Sequence, residues 1–107
     1  MTKLNVTNMQ SAGGNSVPNQ FIISYSGKFK NSEGQMKTSQ VDVFQSYDSI
    51  IAKKVSKGWK QEIILDRNYW NYSRTTGKYR NQFLGETIKE TESKIKSKEY
   101  KLKDLNK

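Results

Sequence analysis

Regular alternation of apolar and polar residues begins at Phe21. Phe21, Ile23, Tyr25 and Phe29 alternate with Ser24, Ser26, Lys28 and Lys30. A period of two predicts a strand with one apolar face and one basic, polar face. Asn31-Ser32-Glu33-Gly34 is a turn sequence. A second strand is predicted from about Met36 to Phe44, with Val41 and Val43 on one face. Its polar first half points to an edge, or to a hairpin reaching beyond the core. A third strand runs from about Ser49 to Val55. Ser56-Lys57-Gly58 then makes a tight connection in which Gly58 takes positive φ. The fourth strand covers Trp59 to Leu65, where Trp59, Gln61, Ile63 and Leu65 alternate with Lys60 and Glu62. Strands at this regular spacing predict an antiparallel meander.

After Asp66 the period changes. Ser73 or Thr75 caps a helix by accepting from the free N–H groups of its first turn. Tyr79 and Phe83, four residues apart, share one face of it. Gly85 ends it in the left-handed conformation. Thr87-Ile88-Lys89-Glu90 fits a capping box, which starts a second helix. That helix has a narrow apolar stripe (Ile88, Thr91, Ile95) and two favourably ordered pairs, Glu90–Lys94 and Glu92–Lys96. Tyr100 and Leu102 alternate with Lys101 and Lys103, which predicts a last short strand.

Before Phe21 the pattern is weak. Leu4 and Val6 fit one face of a short strand, and Gln10 to Asn19 has loop composition with the chain's one proline, Pro18. The expected organisation is a flexible N-terminal arm, residues 1–19, and a single α+β domain, residues 20–107. Its expected architecture is an antiparallel four- to five-stranded sheet with two short C-terminal helices on one side.

Charge changes the picture. The 107 residues hold 19 Lys and Arg against 10 Asp and Glu, for a net charge of +9. Such a surface draws phosphate backbones by a force that salt weakens. Only 33% of residues are apolar, so the core is thin, and a homodimer is one way to complete it. The chain has no histidine and no cysteine. This removes the commonest general acid–base group, the thiol nucleophile, disulfides and thiolate metal sites. No enzymatic activity, cofactor or metal is expected. No apolar run approaches the roughly 20 residues of a membrane span. The first twenty residues lack the apolar stretch of a signal peptide. No membrane association and a cytoplasmic location in a bacterial host are expected.

Two groups of residues are candidates for binding nucleic acid. The first is Arg67, Tyr69, Trp70, Tyr72, Arg74, Lys78 and Arg80, with Tyr79 among them; all three arginines fall in one fourteen-residue window. Guanidinium forks suit phosphate, and aromatic rings stack on unpaired bases. Free N–H groups at a helix start near Thr75-Thr76-Gly77 would add a phosphate site. The plain alternative is that Trp70, Tyr72 and Tyr79 plug the gap between sheet and helix. The second group is Lys28, Lys30, Lys37, Lys53, Lys54, Lys57 and Lys60, a lysine-bearing sheet surface with Tyr25 or Phe29 nearby. The alternative there is that lysines only guard strand edges. Charge favours the first part of the chain: residues 1–85 hold twelve basic and five acidic groups, residues 86–107 seven and five. Gly77-Lys78 resembles the end of a phosphate-binding loop, but position 72 is Tyr and position 79 is Tyr, so the motif fails. Asp42, Asp48, Glu62 and Asp66 would be the carboxylates of a Mg²⁺ nuclease, but no local motif joins them.

Two stretches, Phe44-Gln-Ser-Tyr-Asp-Ser-Ile-Ile-Ala52 and Tyr69-Trp-Asn-Tyr-Ser-Arg-Thr-Thr-Gly-Lys-Tyr-Arg-Asn-Gln-Phe-Leu-Gly85, resemble a family of small uncharacterised proteins. These are encoded by phages, plasmids and integrated elements of Gram-positive Firmicutes. The opening Leu4-Asn-Val-Thr-Asn-Met9 and the closing Lys103-Asp-Leu-Asn106 fit the same family. The resemblance implies a mobile-element setting and gives no residue a role. A looser, architectural similarity is to dimeric single-strand binders of the transcription-coactivator type. The expected function is a non-enzymatic nucleic-acid-binding accessory protein of low sequence specificity, its partner DNA or RNA. The alternative is an inhibitor of a host defence nuclease complex of the anti-CRISPR type. It would grip the protein or its guide RNA with the hairpin at Lys28–Lys37.

Overall fold

A computed structural model of the protein describes residues 4–11, 13–58 and 60–106; Trp59, expected to open the fourth strand, lies outside the described residues. The order of elements is β1 (Asn5–Gln10), β2 (Ser16–Lys30), β3 (Met36–Ser46), β4 (Ser49–Lys57), β5 (Lys60–Asp66), α1 (Arg74–Leu84), α2 (Ile88–Lys96) and β6 (Lys101–Lys103). The strands form one open sheet in sequence order. The fold is α+β, as expected, but the sheet has six strands rather than four or five, and it is not wholly antiparallel.

Both differences have physical causes. Residues 5–10, read as part of a flexible arm, pair with β2 from Asn5 opposite Ser24 to Asn8 opposite Phe21, and β2 itself opens at Ser16. Backbone hydrogen bonds hold β1 in place, so its side chains need no strong apolar pattern. At the other edge, β6 follows two helices that carry the chain back across the sheet. It therefore runs parallel to β5, with Leu65 opposite Leu102.

Local signals fixed most of the boundaries. Gly58 has φ 64°, and Lys57 pairs with Lys60 across the β4–β5 turn. Of the two candidate caps, Ser73 is the one used: its side chain accepts from Thr76 N–H. Gly85 closes α1 with φ 71°, and the capping box of α2 is complete. The expected Glu90–Lys94 pair gives way to Lys94–Glu86 at 3.0 Å. Glu86 sits just past the end of α1 and also accepts from Thr91 Oγ1 at 2.6 Å and Tyr100 Oη at 2.5 Å. This cluster ties α2 to the entry of β6.

Directly paired residues on neighbouring strands project to the same face. One face therefore carries Ile22, Phe44, Ala52, Leu65 and Leu102 in a row. Phe44, Ala52 and Leu65 are fully buried, and the core cluster adds Tyr79 and Phe83 from α1 and Tyr100. The Phe44 and Phe83 rings lie 5.8 Å apart, and Ser46 and Thr76 share a hydrogen bond of 2.9 Å. The second face carries Val6, Ile23, Val43, Lys53 and Ile64 in one row, and Tyr25, Val41, Val55 and Glu62 in the next. No helix among the described residues is long and apolar enough to cross a membrane.

Candidate nucleic-acid interface

The seven sheet lysines do not act as one group. Register sorts them. Lys53 stands opposite Val43, Lys37 opposite Phe29, and Lys57 opposite Lys60. All four lysines belong to the second face. The same strand alternation puts Phe21, Ile23, Tyr25 and Phe29 there, all half-buried. Lys57 Nζ lies 5.5 Å from the centre of the Phe29 ring, close enough for a cation–π contact. Rings and ammonium groups are thus interleaved on one surface.

Lys28, Lys30 and Lys54 belong to the first face, so the expectation that they join the other four is corrected. The reason is the period of two: Lys28 stands opposite Thr38, Lys30 opposite Met36, and Lys54 opposite Asp42. Lys54 is also half-buried. Its Nζ lies 4.4 Å from the Phe83 ring centre and donates to the Phe83 carbonyl, near the C-terminal end of α1. Burial pushes the Lys54 ammonium below its ordinary pKa, against the opposing pull of Asp42 and Glu86. It serves the fold, as a cation at a helix C-terminus does.

The Arg67–Arg80 window also divides. Arg80 is buried, 1% exposed. Its Nη1 donates to the Trp70 carbonyl (2.7 Å) and Asn71 Oδ1 (3.0 Å), its Nη2 to Asn81 Oδ1 (2.9 Å), and the guanidinium carbon lies 5.3 Å from the Trp70 ring centre. The expectation that Arg80 meets phosphate is therefore corrected. The fork is consumed by the loop that precedes α1, and Trp70 is half-buried against the core. Tyr79 is a core residue as well. Of the phosphate site expected at Thr75-Thr76-Gly77, only Thr75 stays exposed: Thr76 and Gly77 are buried, Thr76 N–H is taken by Ser73 Oγ, and Gly77 N–H by the Ser73 carbonyl. What remains exposed is Arg67, Tyr69, Tyr72, Arg74 and Lys78. Tyr69 and Tyr72 meet edge to face at 5.4 Å.

Sequence reasoning predicted a short strand at Lys101 to Lys103 but left both lysines out of the candidate surface. The parallel register sets them opposite Ile64 and Asp66, on the edge of the second face. Their alternation with Leu102 was the available signal; the pairing partner was not. Lys101 is joined to Glu62 at 3.2 Å, and this contact holds the Glu62 carboxyl below the usual range. Two ion pairs, Lys94–Glu86 and Lys101–Glu62, occur among the described residues. Lys37, Lys53, Lys57 and Lys60 are in neither.

The four carboxylates considered for a metal are not brought together. Asp42 accepts from Ser24 Oγ at 2.7 Å on the first face, and Glu62 belongs to the second. Asp66 is buried and accepts from the N–H groups of Asn68, Tyr69 and Leu105. It closes the turn after β5 and anchors the segment after β6. Among the described residues no group of three or more acidic side chains could hold a metal ion.

A family model described as Family of unknown function (DUF8033) matches residues 4–101. No curated protein and no solved structure matches the chain.

Proposed function

The chain belongs to this DUF8033 family, and we propose that it is a non-enzymatic nucleic-acid-binding protein that takes unpaired DNA or RNA on the second face of its sheet. The observation that carries the reading is the interleaving on that face of Phe21, Tyr25 and Phe29 with Lys37, Lys53, Lys57 and Lys60. Rings on one strand at every fourth residue are about 13 Å apart. An extended single strand spans that distance in about two nucleotides, so alternate bases stack while lysines neutralise the phosphates between them. Such contacts carry little sequence information. The reading takes both helices to sit against the first face, leaving the second for the ligand. The Phe44–Phe83 and Ser46–Thr76 contacts, and the packing of Leu84, Ile95, Ile63 and Leu102 on the same core, support this. The resemblance noted in the sequence makes the setting a phage or mobile element in a bacterial cytoplasm.

The test is fluorescence anisotropy with labelled single-stranded and duplex oligonucleotides across a salt series. Tighter binding to the single strand is expected, with affinity falling steeply as salt rises. An affinity indifferent to salt, or one unchanged by Lys53→Glu with Lys57→Glu, would sink the proposal.

One observation favours the alternative of a defence-nuclease inhibitor. β1 pairs with β2 only as far as Ser24, and β4 pairs with β3 only from Gln40 onward. The β2–β3 hairpin thus projects past both neighbours as a two-stranded ribbon from Gly27 to Ser39, bearing Lys28, Lys30, Lys37 and the exposed Met36. Pull-down of one stoichiometric host nuclease, lost when residues 27–40 are deleted, would favour this second reading; recovery of bulk nucleic acid would favour the first.

A further inference from the structure

The sheet ends in two edges, and they differ in kind. The β6 edge is three residues long and carries Lys101 and Lys103. Short length and lysine are the usual means of keeping an edge from pairing with another chain. The β1 edge runs from Asn5 to Gln10 and carries no charged residue and no proline. The lack of charge extends well past the strand. From Leu4 to Gly27 the sequence contains no Asp, Glu, Lys or Arg, in a chain of which 27% is charged. Leu4 and Val6 are 59% and 55% exposed, the latter on the second face opposite Ile23. Among the described residues no strand pairs with the outer side of β1.

We propose that β1 pairs antiparallel with β1 of a second copy of this chain, forming a two-fold dimer with one continuous sheet. Charge selects a second copy as the occupant. Two chains of net charge +9 repel in most orientations. Along β1 neither presents a charge, so the edges approach without that penalty and gain backbone hydrogen bonds. An antiparallel strand pair about a two-fold axis is self-complementary, and the guarded β6 edge stops the sheet from growing further. The regular register of β1 covers Asn5 to Asn8, and a bulge between Asn8 and Gln10 bends the rest of the strand. The two-fold axis therefore falls within Asn5–Asn8. With the axis perpendicular to the sheet, both second faces lie on the same side. The two β2 strands are then three strand spacings apart, about 14 Å. If the proposed function holds, this doubles the binding surface; the dimer itself does not depend on that reading.

Sedimentation of the full chain, freed of nucleic acid at high salt, measures the association directly. A concentration-dependent dimer is expected. Asn5→Lys combined with Thr7→Lys, both exposed positions, sets like charges opposite one another and weakens association about tenfold or more, with an unchanged circular-dichroism spectrum. A second measurement does not depend on that variant. Paired residues must share a face, so one residue of the four lies on the axis, opposite its own copy. Asn5→Cys, Val6→Cys, Thr7→Cys and Asn8→Cys are made one at a time in this cysteine-free chain and oxidised. One of them forms a disulfide-linked dimer, whereas Lys101→Cys on the other edge does not. A monomer at every concentration up to the solubility limit overturns the proposal. So does a dimer indifferent to the double lysine variant, or cross-linking at residue 101 but at none of the four. Because no nucleic acid is present, these outcomes are distinct from failure of the binding reading.

Discussion

Lys53 and Lys54 are adjacent in the chain and serve different purposes. Lys53 stands opposite Val43 and Ile64 on the second face. Lys54 stands opposite Asp42 on the first, where it stacks on Phe83 and donates to its carbonyl. The same contrast runs through the whole sheet. The first face spends its apolar residues on a core: Phe44, Ala52 and Leu65 have no exposed surface. The second buries Val41, Val43 and Ile64 along its middle and leaves Phe21, Ile23, Tyr25, Phe29 and Val55 half-exposed beside its lysines. A run of lysines in a strand is thus two populations, and only alternation separates them.

The comparison is broken most severely at Phe44. Truncation to Ala removes a ring that α1 covers and is expected to cost about 3–5 kcal/mol, read as a fall in the denaturant midpoint. Tyr25→Ala, on the other face, is expected to cost less than half of that and to weaken single-strand binding. Equal losses of stability would mean that the second face is covered after all. Arg80→Ala is expected next, at about 2–4 kcal/mol. It leaves the Trp70 carbonyl and two Asn side chains without their buried donor. The exposed Arg74→Ala is expected to fall within about 0.5 kcal/mol of the parent.

The adjacent lysines give the sharpest test. Lys53→Ala should lower nucleic-acid affinity and reduce the salt slope by roughly one phosphate contact, with little change in stability. Lys54→Ala should do the reverse, costing about 1–2 kcal/mol while sparing affinity. Loss of binding from both substitutions alike would contradict the division between faces.

A pH-dependent effect is expected at high pH, on the core side. Burial, then the Glu86 carboxylate, pushes the Tyr100 hydroxyl up to about 12 from an ordinary value of 10.0. Folding thus favours the neutral phenol. Its contribution is whole below pH 10 and is lost as pH rises toward about 12. Tyr100→Phe should flatten the stability profile across that window. For Glu86, burial alone raises the pKa, but hydrogen bonds from Thr91, Tyr100 and Lys94 outweigh it and hold the carboxyl below 4.5. That contribution is present above pH 4.5 and fades as pH falls further, so Glu86→Gln should reduce acid sensitivity.

What the sequence made legible was local. The caps at Ser73 and Thr87, the left-handed Gly85 and Gly58, and the shared face of Tyr79 and Phe83 each depend on residues a few positions apart. The central strands followed from a period that one segment displays on its own. The misses were long-range. Nothing in Asn5–Gln10 says that Phe21–Ser24 will receive it. Nothing in Lys101–Lys103 says that it will lie beside β5 rather than in solvent. Arg80 looked like its two fellow arginines because burial depends on where α1 lands. The candidate surface was half-legible for the same reason: Lys37, Lys53, Lys57 and Lys60 were found, but a composition argument merged them with three lysines from the opposite side.

The ribbon beyond Gly27 has a dynamic consequence. A Cβ at residue 27 would come within 2.9 Å of Ser39 Oγ, so glycine lets the two strands close at the point where sheet support ends. Past it, residues 28–30 and 36–38 find backbone partners only in each other, and an isolated strand pair is marginally stable in water. Their amide hydrogens are expected to exchange with solvent far faster than those of Val41 to Phe44, through local fraying that leaves the sheet intact. Whatever grips that arm must first quiet it, and the entropy so lost sets a ceiling on how tightly the arm alone can hold.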